Sequence, residues 1–454
     1  MRDILPPESA LWNRIEQVAR EVFAAYAYQE IRTPLVEPTE LFARGVGQDT
    51  DIVTKEMYSW EDRGRERPTT LGEAVEAAMG PQSLTLRPEA TASVVRAYIE
   101  HRMWEQPGVK KFYYLGPMFR RERPQKGRYR QFYQIGAEAI GSDNPAVDAE
   151  VLEMLIALLS RLRLTGFTVL LNSVGCSQCR PQYLAVLRSE LSKVREQLCA
   201  DCQRRTETNP LRVLDCKVPE DQPIIAALPT FLDLLCPQCR QHFEQLQGYL
   251  RDRQIPFTLQ PRLVRGLDYY TRTTFEIVHG ALGAQNSVLG GGRYDGLSEM
   301  LGGPPTPGIG FSIGEDRLAL TLSQPAESDR NSEFGIPLYI IWLGESAYRH
   351  AAELARELRA RNVAVDLLAD PLKLKKALEL ASRLRVRHVL IIGDQELAEG
   401  KYPLRDMAQG TQKTVTKEEL FEQFAGEESA EERLAADPVV RLRSPEAEKG
   451  HPVR

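Results

Sequence analysis

Over residues 9–27 the apolar side chains fall at Leu11, Trp12, Ile15, Val18, Ala19, Val22, Phe23 and Tyr26. Three-and-four spacing lines one face of an α-helix, and Ser9 stands where an N-cap belongs. A short strand is predicted at 31–36, demoted to an edge or strand end by Pro34. Residues 61–82 are polar and Gly-containing and read as a loop. A strand at 84–87 and a helix at 89–101 follow. Then come two β arms, 111–121 and 129–139, joined by a charged connector with Pro124 and Gly127, which is the pattern of a long hairpin. A helix at 147–162 and a strand at 167–172 complete this half. The pattern breaks over 174–256, which is mostly helical by periodicity and reads as an insertion.

Strand character resumes at 273–278 and 287–289, Gly290-Gly291-Gly292 reads as a turn, and a helix begins near Gly314. The polar stretch 322–336 reads as a linker. Beyond it, strands at 338–343, 364–368 and 388–392 alternate with helices at 347–361 and 372–384, predicting a small α/β domain with a mostly parallel sheet. Residues 426–454 mix charges with few large apolar side chains and predict a disordered tail. The expected architecture is an α+β body over 1–325, interrupted by the insertion, plus an α/β module over 335–425.

Composition narrows the class. The chain has 454 residues, enough for two to four domains at roughly 100–200 residues each. Lys plus Arg is 58 and Asp plus Glu is 63, a net charge of −5. That excludes a wholly basic nucleic-acid binder but leaves room for a locally basic surface. No apolar run approaches the length of a membrane span and the first residues lack a signal-peptide pattern, so the expected location is the cytoplasm, with no membrane partner.

All seven Cys lie between 176 and 239, six of them in CxxC pairs. A reducing compartment argues against a disulfide scaffold. Cys199, Cys202, Cys236 and Cys239 predict one four-thiolate structural zinc site across a 33-residue loop, because a CxxC turn points both thiolates at one centre. Cys176, Cys179 and Cys216 form a three-thiolate set or supply alternative ligands, and a set of reduced structural thiols is the metal-free reading.

From Lys110 to Arg130 there are eight basic residues and one acidic one. Alternate residues of two β arms share a face, and guanidinium groups on such a face can grip a polyphosphate bidentately. A tip carrying Lys126 and Arg128 could reach a nucleic-acid backbone. The plain alternative is a solvated basic hairpin. A second basic stretch, 373–387, holds six basic residues and one acidic one, and is either a nucleic-acid-facing helix or a solvated one.

The first stretch is not anonymous. Phe119-Arg120-Arg121-Glu122-Arg123, followed by Arg130-Gln131-Phe132, resembles motif 2 of the class II aminoacyl-tRNA synthetases. Gly308 to Arg317 (GIGFSIGEDR) resembles their motif 3, and Pro34 fits the degenerate motif 1. Two further stretches, Leu263 to Thr271 (LVRGLDYYT) and Gly290 to Leu297 (GGGRYDGL), resemble the two signatures of the histidyl-tRNA synthetase family. Thr85 to Glu89 and Arg2 to Pro6 are similar to its other markers, and the resemblance covers about 1–425.

The resemblance implies a class II antiparallel-sheet catalytic domain, a C-terminal α/β anticodon-binding domain and a homodimer. It implies ligation of L-histidine to its tRNA, with ATP as substrate, Mg2+, and histidyl-adenylate as intermediate. By motif, Arg120 contacts the α-phosphate and carboxylate, and Arg265 approaches that phosphate from the opposite side. Arg317 holds the triphosphate tail, and Glu122 meets the adenine amino group. Glu89, Thr91, Gln134 and Glu138 match contacts to the histidine amino end, with Ala90 where the family usually has Gly. Tyr269 and Tyr270 match contacts to the imidazole side. Each has a plain alternative: Glu138 as an ion-pair partner, the two tyrosines as core aromatics, Arg293 as an anchor for the glycine turn.

For tRNA the implied residues are Arg123, Gln125, Lys126 and Arg128 in the hairpin and Lys375 and Lys376 in the C-terminal module. Asn209 to Asp215 looks like the family's own insertion, whose expected role is acceptor contact. The competing function is a regulatory subunit of ATP phosphoribosyltransferase, a paralogue on the same fold that charges no tRNA.

Overall fold

The computed structural model describes residues 1–48, 50–62, 82–123, 125, 127–280, 287–322 and 336–425. The expected loop at 61–82 falls largely outside them, as do the linker, apart from its end residues, Lys126 and the 426–454 tail. The chain divides into two units, Met1–Gln324 and Pro325–Arg454.

In the first unit the strands are β1 (Gln29–Glu30), β2 (Val36–Pro38), β3 (Tyr58–Asp62), β4 (Gln82–Leu86), β5 (Lys110–Phe119) and β6 (Gln131–Ile140). They continue as β7 (Phe167–Ser173), β8 (Thr258–Leu259), β9 (Thr271–His279), β10 (Ser287–Arg293) and β11 (Gly308–Gly314). Eight of them form one sheet in the order β1-β5-β6-β11-β10-β9-β7-β8. Its interior pairs, from β5 across to β7, are all antiparallel. β2, β4 and β3 form a separate small sheet.

Period-two alternation gives the large sheet two different faces. Ile135, Ala137 and Ala139 on β6, Phe275 and Ile277 on β9, and Ile309, Phe311 and Ile313 on β11 point into one apolar core. Helices Glu8–Ala25, Pro145–Arg161 and Pro237–Asp252 close that core with Ile15, Phe23, Leu152, Leu155, Phe243 and Leu246. The intervening positions, Gln134 and Glu138, Thr274 and Glu276, Gly310 and Ser312, belong to the opposite face, which floors a cleft.

Several local expectations are corrected. The first helix starts at Glu8 with Pro7 at the cap position and no side-chain cap from Ser9. No strand spans 31–36: Ile31 N–H makes the last bond to β5, at Tyr113 O, and Pro34 offers no donor to carry pairing onward. The three glycines 290–292 are not a turn but the middle of β10, paired with β9 and β11. The helical segment packs into the unit that carries it. Its last helix joins the main core, and Tyr183, Leu187, Cys202 and Val213 share a second core with Tyr269, Tyr270 and Tyr294.

The second unit has a five-stranded sheet of β12 (Ile336–Trp342), β13 (Val365–Leu367), β14 (Val386–Ile392), β15 (Lys401–Asp406) and β16 (Gln412–Thr416), in the order β13-β12-β14-β15-β16. Only β13, β12 and β14 run parallel; β15 and β16 form an antiparallel hairpin edge. The sheet is therefore mixed rather than mostly parallel. Helices Glu345–Arg359 and Leu374–Arg383 bury Ala351, Leu354, Leu358, Ala377 and Ala381 against it.

Candidate active site

Glu138 lies at the middle of the cleft floor, fully buried on β6. Its two oxygens accept hydrogen bonds from Thr91 Oγ1 at 2.8 Å and Tyr294 Oη at 2.7 Å. Gly310 is its register partner on β11. A Cβ there would fall 1.7 Å from Glu138 Oε2, so only glycine leaves the carboxylate its place. Burial pushes the Glu138 carboxyl up to about 8, against the pull of the two hydroxyls. Gln134, two pleats along the same strand face, keeps Oε1 buried and without a partner among the described residues. Tyr269 and Tyr270 close this pocket, their ring centroids 4.8 Å apart, and Tyr269 meets the Tyr294 ring edge-on at 6.0 Å.

Glu89 enters the same pocket and also holds the start of a helix. Its carboxylate accepts from the N–H groups of Thr91 and Ala92 at 2.7 and 2.9 Å, which caps the start of helix Thr91–Glu100. Burial raises its carboxyl and the two amides pull it back. Ala90 is fully buried beside it.

Three arginines surround the outer part of the cleft. Arg120, at the end of β5, donates Nε to Pro88 O at 2.9 Å and lies over the Phe132 ring. Arg265 lies across β10: a Cβ on Gly290 would be 2.2 Å from its Nη1. Its Nη1 is 3.9 Å from Glu276 Oε2, and its Nε has no partner among the described residues. Arg317 donates Nη1 to Ser287 O at 3.0 Å and Nε to Gly127 O at 3.4 Å, tying the hairpin tip to β10. Glu122 accepts from Arg128 at 3.3 Å. Gly127 is buried, and the Arg128 guanidinium, with its side chain still partly open to solvent, reaches Glu122. Arg123 and Gln125 are exposed, as are Lys375 and Lys376 on helix Leu374–Arg383 in the other unit.

Arg293 does not reach the cleft. Its fully buried guanidinium binds Asp148, Asp295 and the Ser142 carbonyl, which makes it an anchor between β10 and helix Pro145–Arg161. Sequence reading passed over Tyr294, although it lies inside a quoted signature, and Glu276, whose only signal was a lone acidic position in an apolar strand.

Residues 75–318 match the family described as histidyl-tRNA synthetase, and residues 338–427 match the anticodon binding domain. The chain is 58% identical over 422 residues to the histidine–tRNA ligase of Solibacter usitatus (strain Ellin6076), covering 92% of this chain and 96% of the relative. The chain belongs to the histidyl-tRNA synthetase family.

Its enzyme class is therefore aminoacyl-tRNA ligase. A second member, the histidine–tRNA ligase of Koribacter versatilis (strain Ellin345), is 53% identical over 92% of this chain and 93% of its own length. Among solved structures, apo histidyl-tRNA synthetase of S. aureus superposes with a TM-score of 0.73 at 37% identity, covering 94% of this chain and 98% of that one. A Bacillus halodurans structure titled ATP phosphoribosyltransferase regulatory subunit/histidyl-tRNA synthetase shares the fold, with a TM-score of 0.58 at 23% identity, over 87% of this chain and 97% of that one. No helix among the described residues is long and apolar enough to cross a membrane.

The cysteines are not arranged as the spacing suggested. Cys199 and Cys202 do not join Cys236 and Cys239. Cys176, Cys179, Cys236 and Cys239 make one group, and Cys199, Cys202 and Cys216 make another with Asp221. Helices Cys179–Val194 and Pro237–Asp252 start side by side, which brings the first and last CxxC pairs together. The middle pair, Cys199 at the cap and Cys202 inside helix Ala200–Thr208, belongs to the second group.

Proposed function

We propose that this chain activates L-histidine with ATP and transfers it to the 3′ end of its cognate tRNA. The observation that carries the reading is the juxtaposition, on one sheet face, of a polar pocket built around the Glu138 carboxyl and a ring of arginines. The substrate carboxylate attacks the α-phosphorus of ATP, pyrophosphate leaves, and a mixed anhydride forms. Positive charge fixed in advance on either side of that phosphate stabilises the transition state without reorganisation. Arg120, from the β5 end, and Arg265, from across β10, supply it. Arg317 holds the triphosphate tail, and Glu122 takes the adenine amino group once Arg128 turns to phosphate. ATP enters as its magnesium complex, with Glu276 the carboxylate at hand beside Arg265.

Glu138 receives the substrate ammonium, helped by Thr91 and by the unpaired Gln134 Oε1. Glu89 holds the helix start that presents Thr91. Tyr269 and Tyr270 read the imidazole; a buried polar site rejects an apolar analogue strongly because its own groups would stay unpaired. The tRNA 3′ hydroxyl then attacks the anhydride carbonyl and AMP leaves. Arg123, Gln125 and Lys126 on the hairpin, and Lys375 and Lys376 in the anticodon-binding module, are the proposed tRNA contacts.

A homodimer is supported by exposed Leu35 and Val36, each 41% accessible, in the segment that resembles motif 1. The regulatory alternative is disfavoured by the presence of all three arginines and of the anticodon-binding match. Histidine-dependent ATP–pyrophosphate exchange tests the reading. Wild type should show it, and Arg265→Ala should lower it on the order of 10²–10³-fold with the fold intact. Exchange absent from wild type, or unchanged in the variant, would overturn the reaction or the role respectively.

A further inference from the structure

We propose that the helical segment holds two zinc ions. One sits on the Sγ atoms of Cys176, Cys179, Cys236 and Cys239, and the other on Cys199, Cys202, Cys216 and a carboxylate oxygen of Asp221. In each group the four donor atoms lie within 4.8 Å of one another. A tetrahedral zinc with Zn–S bonds of about 2.3 Å places its sulfurs about 3.8 Å apart. Cys176 and Cys179 are 3.8 Å apart, and Cys176–Cys236 and Cys179–Cys239 are both 3.9 Å. In the second group Cys199 and Cys216 are 3.9 Å apart. A disulfide would need about 2.05 Å. These separations are those of ligands around a shared centre.

The fourth ligand of the second group is built for its place. Asp221 is 1% exposed. Its Oδ1 accepts from Cys199 N–H at 3.0 Å, and Oδ2 accepts from Cys216 Sγ at 3.2 Å. The first bond turns the carboxylate so that the other oxygen faces the sulfurs. A carboxylate buried among thiols is costly unless a cation compensates it. Soft thiolates select zinc over magnesium or calcium, and a closed set of four protein ligands is the mark of a structural site.

The two ions would brace one loop from two sides, a consequence that rests on the proposed role of Arg265, whereas the metal count does not. The first site joins residues 60 positions apart and closes the base of the segment. Arg180, next to Cys179, donates Nη1 to Asp268 O and Tyr270 O at 3.3 and 3.2 Å. The second site brackets the stretch that carries Arg212, whose Nη1 would be 3.4 Å from a Cβ on Gly266. Arg265, Tyr269 and Tyr270 all belong to the loop held between Arg180 and Arg212.

The test is metal content by mass spectrometry on the full chain, purified under reducing conditions without chelator. About two zinc per chain are expected. Cys179→Ser and Cys236→Ser should each leave one, and so should Cys202→Ser and Cys216→Ser; a variant combining Cys179→Ser with Cys202→Ser should hold none. If variants fail to fold, titrating wild-type thiols with a mercurial while a chromogenic chelator reports zinc should release two equivalents. Zinc-edge X-ray absorption should show mainly sulfur at about 2.3 Å with a minor oxygen contribution. Wild type that neither contains zinc nor takes it up from solution after reduction would overturn the proposal. A single zinc lost equally in Cys202→Ser and Cys236→Ser would also overturn it, in favour of one site spanning those pairs. Chelated protein should exchange amide hydrogens faster over 263–270, at least several-fold. Equal exchange with and without zinc would remove the bracing role.

Discussion

Burial in the sheet face favours the protonated form of Glu138, and binding must work against it. Its folded value of about 8 lies above the ordinary 4.5 of a glutamate carboxyl. For a raised carboxyl, the stability this group contributes is complete below about 4.5 and is lost as pH rises through about 8. At pH 7 the Glu138 carboxyl of the empty pocket is therefore mostly protonated. An arriving ammonium favours the carboxylate, so histidine binding should expel a proton from the protein. Calorimetry at pH 7 in two buffers of different ionisation enthalpy should show net release beyond that of histidine's own imidazole. Glu138→Gln should abolish the release and weaken histidine binding roughly 10–100-fold, the cost of a charged hydrogen bond, while ATP binding stays within about twofold. Wild-type binding with no proton release would assign the ammonium elsewhere. Gln134 belongs to the same calculation: its unpaired Oε1 is a buried acceptor waiting for a donor, and an ammonium supplies one.

At the level of elements, β10 does more than pair with its neighbours. Gly290 leaves the groove in which Arg265 lies, so Gly290→Ala should displace the guanidinium without unfolding the sheet. A displacement of about 1 Å at a charge-stabilising group costs on the order of 10²-fold in rate. Pyrophosphate exchange should fall by about that much, with the melting temperature changed by only a few degrees; exchange near wild type would mean that Arg265 works from another position.

β10 also shows where sequence reading runs out. Long amphipathic helices and the hairpin of β5 and β6 were legible because their periodicity is written in side chains. Three glycines have no side chains to alternate, so only the register with β9 and β11 reveals a strand. Motif placed the candidate arginines, yet it could not show that Arg128 reaches Glu122, that Glu89 also accepts from a helix start, or that Arg293 is a buried anchor. CxxC spacing marked the ligand pairs, but which pairs meet depends on two helix starts that packing brings together. β15 and β16 were missed because Pro403 and the charged positions around it break the alternation.

On the scale of the whole molecule, the two units have separate cores. The core beneath the large sheet and the core of the C-terminal sheet share no residue, and every residue assigned to histidine or ATP precedes Leu322. A chain ending at Gln324 should therefore keep a folded catalytic unit, with circular dichroism and sizing chromatography to check it. Pyrophosphate exchange should stay within roughly an order of magnitude of the full chain, because positioning and charge stabilisation at the phosphate come entirely from the first unit. Aminoacylation should fall much further, since the exposed Lys375 and Lys376 and the rest of the anticodon-binding module are gone and tRNA affinity depends on summed backbone contacts. The deficit should lie mainly in the KM for tRNA, and wild-type aminoacylation should itself weaken with added salt. Charging at full efficiency by the shortened chain would mean that tRNA is selected entirely by the catalytic unit. Loss of exchange in a correctly sized, folded fragment would overturn the assignment of the whole exchange reaction to the first unit, within which Arg120 and Arg317 are anchored on backbone carbonyls.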